Sequence, residues 1–196
     1  MRKPFFYAIN AITFYRLIVT PILIVLIFIG HQKIFAFMLA ISFFTDLIDG
    51  FLARRYKVTS IFGSRMDSIA DDLTFLSAII AIFAFKFSFI QENILAIGML
   101  LGLYLGQTIS ALVKYHKITS FHTYLAKTAA IFQGVFLILL FYQESPPYML
   151  FYLACAITII DLIEEIILVY LLPIWKADIK GIYWVCKNEK LRHFIK

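Results

Sequence analysis

Six apolar runs of about twenty residues each, at roughly 11–30, 34–53, 63–85, 94–113, 124–142 and 148–172, take up most of this 196-residue chain. Segments of that length need either an apolar solvent or a core large enough to hide them all. A chain this short cannot build such a core. Hydrophobic residues make up 62% of it and charged residues 15%, with a mean hydropathy of +0.89, whereas soluble domains hold about 45–50% apolar residues. Backbone N–H and C=O groups inside hydrocarbon must be satisfied within their own segment, which selects helices. The expected fold is therefore all-α: a polytopic membrane protein with six transmembrane helices, residues 1–196 forming a single domain. The first run follows Arg2 and Lys3 as a signal peptide would, but it contains Arg16 and Pro21 and lacks a small-residue cleavage site, so it is expected to stay on the chain.

Charge orders these spans. Of the 18 Lys and Arg, only Lys33 and Lys86 fall on one side, while the N-terminal end, the loops after spans two and four, and the tail after Pro173 carry the others. The positive-inside rule puts that richer side in the cytoplasm together with both termini, as an even number of spans requires. The same asymmetry accounts for the net charge of +6 without nucleic acid as a partner. Tyr7, Tyr56, Tyr115, Tyr148 and Trp175 near span ends fit an interfacial belt, and residues 2–9 read as a short surface piece. The tail after Trp175 reads as a solvated basic segment on an anionic leaflet. Cys155 and Cys186 are too few and too scattered for a disulfide framework or a metal cluster.

The chemistry concentrates at the cytoplasmic ends of spans two and three. Asp46 and Asp49 are three residues apart, Asp67 and Asp71 four apart, so each pair shares a helix face. The loop between them turns the chain back, so the four carboxylates can converge just inside the membrane surface. Acids at that depth are costly, and they mark function by default. Oxygen ligands without His or Cys favour Mg²⁺ or Mn²⁺ over zinc, and two such ions suit phosphoryl transfer. The alternative is that the acids cap helices or pair with Arg54 and Arg65.

The intervening residues complete the pattern Asp46-x2-Asp49-Gly50-x2-Ala53-Arg54-x8-Gly63-x3-Asp67-x3-Asp71. This resembles the signature of the CDP-alcohol phosphatidyltransferase family at every fixed position, and Asn10-x2-Thr13-x2-Arg16 at the start of span one extends the resemblance. The resemblance implies that Asp46, Asp49, Asp67 and Asp71 hold two divalent cations, that Asp71 is also the general base, and that Gly50, Ala53, Arg54 and Gly63 form the CDP pocket, with Asn10 and Thr13 near it. It also implies a membrane-embedded phosphotransferase that moves a phosphatidyl group from CDP-diacylglycerol to a small alcohol, a cytoplasmic-side site in a bacterial inner membrane, and a homodimer. Independently, small residues at Gly50 and Ala53 leave room beside a helix, and Arg54 offers a planar fork to phosphate. Ser60 and its neighbour Thr59 add hydroxyls to the loop, as turn residues do in any case.

The acceptor is less constrained. Arg65, Lys114 and Lys127, with His116, Lys117 and His122, lie near the expected cytoplasmic opening and suit an anionic acceptor such as glycerol 3-phosphate, although the positive-inside rule alone would put cations there. Ala126-Lys127-x5-Gln133 is similar to the Gly-Lys-x5-Gln stretch of phosphatidylglycerophosphate synthases, whereas Ser68 is closer to phosphatidylserine synthases and the additional acid Asp72 would weaken a purely cationic acceptor pocket. Serine, inositol phosphate, and a soluble CDP-choline or CDP-ethanolamine donor stay open. A cation transporter would also carry intramembrane acids, but it does not call for the small residues and Arg54 at these spacings, and no inverted repeat is visible. Three more acids, Asp161, Glu164 and Glu165, share one face of span six. They are expected to pair with Arg16 or a Lys, to face a polar cavity, or to sit at a dimer contact.

Overall fold

A computed structural model describes residues 3–56, 61–117, 119, 121, 123–176 and 179–187, and their side chains except those of 3–13, 49–56, 61–65, 67, 68 and 72. The described residues are helical without strands: α1 (Lys3–Phe28), α2 (Gln32–Tyr56), α3 (Ile61–Phe85), α4 (Phe87–Glu92), α5 (Ile94–Tyr115), α6 (Tyr124–Tyr142), α7 (Tyr148–Leu171) and α8 (Ile182–Lys187). Each of the six apolar runs has become one long helix. Among the described residues, α5 and α6 are long and apolar enough to cross a membrane. The chain divides into two compact units, one of residues 1–91 and 137–146, the other of 92–136 and 147–196.

In the first unit α1 packs against both α2 and α3. Close approach is possible because the buried side chains described on α3 are small, Ala70, Thr74, Ser77, Ala78 and Ala81, so that larger residues such as Leu23, Phe35 and Leu39 can seat in the same core. The α3 hydroxyls bond locally: Thr74 donates to the Ala70 carbonyl at 2.8 Å and Ser77 to the Thr74 carbonyl at 2.7 Å, so neither is left unmet in an apolar setting. At the far end Phe35, Phe85 and Phe141 meet edge to face, with centroids 5.0–6.3 Å apart. There the Gln32 side chain donates to the Phe141 carbonyl and Lys86 to the carbonyls of Gln143 and Glu144, closing the C-terminal end of α6.

The turn from α1 to α2 has a stereochemical requirement. Gly30 sits at φ +80°, its N–H bonding the Ile27 carbonyl and the His31 N–H the Leu26 carbonyl, which is the paired pattern that ends a helix in a left-handed residue. A Cβ at Gly30 would meet nothing within 4 Å, so backbone conformation and not space selects glycine. Gly30→Ala is expected to destabilise the protein by about 1 kcal/mol, read as a lower unfolding midpoint in detergent; an unchanged midpoint would show that the turn tolerates a side chain.

The second unit is built on α7, with α5 and α8 packed against it. Its core joins Ala111, Phe121, Leu168, Val169, Leu172, Ile179 and Val185. The last carbonyls of α7, which have no partner in their own helix, are met from α5: Lys114 donates to Val169 and Tyr170 at 2.9 and 3.1 Å, and the single proton of the Tyr115 hydroxyl is shared between the carbonyls of Val169 and Leu172, at 2.8 and 2.5 Å.

Two expectations change here. The segment after Trp175 is not wholly a solvated tail, because Ile179 and Val185 are buried in that core and 182–187 form α8; the apolar spacing 179, 182, 185 is what folds it back. Residues 3–9 are not a separate surface piece either, since α1 runs unbroken from Lys3. Its 26 residues span about 39 Å at 1.5 Å per residue, more than the hydrocarbon thickness.

Candidate active site

Among the described residues of the first unit, Arg16 gathers the site. Arg16, on α1, is 1% exposed, and its Nη1 donates to Asp46 Oδ1 on α2 at 2.7 Å and to Asp71 Oδ1 on α3. These partners lie 30 and 55 residues away in sequence, so the contact ties all three helices together at one level. A guanidinium inside an apolar helix is stable only where acids meet it, and these carboxylates supply both charge and acceptor oxygens. The Thr20 hydroxyl donates to the Arg16 carbonyl at 3.0 Å, immediately before Pro21, which has no N–H of its own to give to the helix. On α2, Ser42 and Thr45 turn their hydroxyls to the carbonyls of Met38 and Ser42, leaving Asp46 to face Arg16 without competition from them.

Asp46 and Asp71 keep access to solvent, with side chains 43% and 44% exposed. Two carboxylates within reach of a single nitrogen, each with exposed oxygen, make a hard donor set that fits Mg²⁺ or Mn²⁺. Asp49 lies three residues further along α2, and Asp67 four residues before Asp71 on α3. Their side chains, and those of Arg54, Arg65, Asn10 and Thr13, are outside the described residues; Gly50 and Ala53 lie in α2 and Gly63 in α3, and Ser60 lies outside the described residues altogether. Among the described residues the pairing of Asp46 and Asp71 is to Arg16, for which the sequence suggests the acids of span six instead. A lone Arg in an apolar run is the signal that could have flagged it, since it must find an acid.

Of the expected acceptor residues, Lys114 is engaged with the α7 carbonyls, and Lys127 lies over the Tyr124 ring at 5.4 Å; both belong to the second unit. Two of the span-six acids are met by a hydroxyl and a backbone N–H. Asp161, 8% exposed, accepts from the Thr123 hydroxyl at 3.1 Å, and Thr123 Oγ1 in turn accepts from the Ala126 N–H at 2.9 Å. One hydroxyl thus caps the start of α6 and ties it to α7. Glu164 Oε1 accepts from the Ile182 N–H at 3.0 Å, holding α8 in place, and a Cβ at Gly181 would approach that same oxygen to 2.9 Å. These are structural contacts. Replacing Asp161, Glu164 and Glu165 together by Leu is expected to lower membrane yield more than any single replacement; undiminished yield of the triple variant would contradict this role.

The described residues are all helical, and Asp46 of α2 meets Asp71 of α3 at Arg16 of α1. The model of the family described as CDP-alcohol phosphatidyltransferase matches residues 6–160, and the chain belongs to that family. It is similar to the CDP-diacylglycerol–glycerol-3-phosphate 3-phosphatidyltransferase of Rickettsia typhi, 36% identical over 67 residues that cover 33% of this chain and 38% of the relative. The protein of that name from Wigglesworthia glossinidia brevipalpis is 33% identical over 84 residues, 41% of this chain and 46% of the relative. A cardiolipin synthase (CMP-forming)/mitochondrial hydrolase fusion protein of Schizosaccharomyces pombe is 35% identical over 71 residues, 36% of this chain and 12% of the relative. The chain therefore spans under half the length of the curated relatives it matches. No solved structure matches it.

Proposed function

We propose that this protein is an integral-membrane phosphotransferase that moves the phosphatidyl group of CDP-diacylglycerol to glycerol 3-phosphate in phospholipid synthesis, releasing CMP. The observation that carries this reading is the meeting of Asp46 and Asp71, the first and last acids of the family signature, at one point between α2 and α3. The names of the bacterial relatives support glycerol 3-phosphate as the acceptor.

In the reaction the acceptor hydroxyl attacks the phosphorus that bears diacylglycerol. A new P–O bond forms, the P–O bond to CMP breaks, and CMP departs with that electron pair. Asp71, the last acid of the pattern, accepts the hydroxyl proton. Asp46, Asp49, Asp67 and Asp71 would hold two Mg²⁺ or Mn²⁺, which when bound supply positive charge to the phosphoryl oxygens. Gly50, Ala53, Arg54 and Gly63, with Asn10, Thr13 and Ser60, bind the CDP moiety, Arg54 pairing with phosphate. Arg65, in the same unit as the aspartates, is assigned to the anionic acceptor.

The setting is a bacterial inner membrane, with six spans in one domain and both termini and the site on the cytoplasmic side. Phe28, Leu95 and Met149, over four-fifths exposed on long helices, suit contact with lipid tails and not water. Gly98, Gly102 and Gly106 recur at four-residue spacing on α5 with nothing within 4 Å of a built Cβ, which supports close approach of a second copy in a homodimer. The test is lipid mass spectrometry after incubating the purified protein, CDP-diacylglycerol and Mg²⁺ with glycerol 3-phosphate, serine or inositol phosphate in parallel. The product expected is phosphatidylglycerophosphate; a phosphatidyl product from another acceptor alone would replace glycerol 3-phosphate in this assignment.

A further inference from the structure

We infer that Arg16 is a built-in counter-cation of the carboxylate cluster, holding Asp46 and Asp71 together in the metal-free protein and competing with divalent ions for the same Oδ1 atoms. The inference rests on the proposed reading that these carboxylates bind metal.

Three observations lead to it. First, the two acids sit on different helices, and without a cation between them their charges would push α2 and α3 apart at the level where α1 must also pack. Second, Arg16 is 1% exposed while the carboxylates are 43% and 44% exposed, so the cation comes from the protein side and the open side of each carboxylate faces outward. Third, the same nitrogen, Nη1, is bonded to Oδ1 of both acids, so it occupies a position between them that a bridging ion would claim. An ion entering from the open side must take these oxygens from Arg16 and tolerate its positive charge at close range. Both effects weaken metal binding, and both vanish when the guanidinium is removed. Arg16 is thus a positioning residue, and it raises the metal concentration at which the site fills.

The test is Mn²⁺ binding to the full-length protein in nanodiscs, followed by electron paramagnetic resonance of the free ion, with the thermal midpoint measured with and without Mn²⁺. Arg16→Met is expected to bind Mn²⁺ roughly tenfold more tightly than the unaltered protein, the scale of one lost charge-assisted bond. Its midpoint should be lower without metal, and its gain on adding Mn²⁺ larger. Arg16→Lys keeps the charge but replaces the rigid planar guanidinium with a flexible ammonium, so its affinity should fall between the two, and it decides the matter if Arg16→Met does not fold. Equal or weaker Mn²⁺ binding in the folded variants would overturn the competition while leaving the metal site standing. Absence of saturable Mn²⁺ binding in the unaltered protein and in both variants would overturn the metal site itself.

Discussion

Replacing Asp71 by Asn is expected to slow CMP release from CDP-diacylglycerol by about a thousandfold, the scale of losing a general base, while leaving the protein in the membrane at near-normal yield. Asparagine is isosteric, so the packing around Ala70 and Thr74 on α3 is untouched and the side chain can still accept from Arg16. What it loses is the capacity to take a proton from the attacking hydroxyl, together with the charge of a metal ligand. Steady-state assays at saturating acceptor should show the loss in kcat more than in KM, because the proton moves in the transition state. A variant retaining a tenth or more of the activity would remove Asp71 from the chemistry and return it to the role of a helix-pairing acid.

Removal of divalent ions should have a comparable effect. Chelation is expected to reduce activity by at least about a hundredfold, since charge neutralisation on a phosphoryl group supplies several kcal/mol, and Mg²⁺ or Mn²⁺ should restore it. Asp46→Asn should restore only at higher ion concentration. This substitution removes half of the described carboxylate pair at the meeting of α1, α2 and α3, so raised metal demand with intact folding separates a ligand from a structural acid. Full activity in chelator would contradict the assignment of all four aspartates.

Much of this was legible in the residues themselves. Six runs of apolar residues became six long helices, because apolar length is a local property that neighbours do not have to supply. The convergence of Asp46 and Asp71 follows from two helical spacings and one reversing loop, and the described pair behaves that way. The counter-ion was not legible. Arg16 plainly needed an acid, but the chain offers 12 acidic residues, and choosing among them depends on which helices α1 packs against. Helical periodicity does not encode that choice; the small side chains of α3 do, once burial is known. The partners of Asp161 and Glu164 were hidden for a different reason. A threonine hydroxyl and a backbone N–H carry no charge to be counted in a sequence, so acids expected to find cations turned out to organise the starts of α6 and α8.

The activity proposed for this chain is transfer of a phosphatidyl group with release of CMP. The most direct measurement is CMP formation by the purified protein given CDP-diacylglycerol and Mg²⁺, with glycerol 3-phosphate added or withheld. CMP is expected to form in step with phosphatidylglycerophosphate, dependent on the acceptor and absent in chelator. Folded protein that binds Mg²⁺ yet forms no CMP with glycerol 3-phosphate, serine, inositol phosphate or a soluble CDP-alcohol plus diacylglycerol would contradict it.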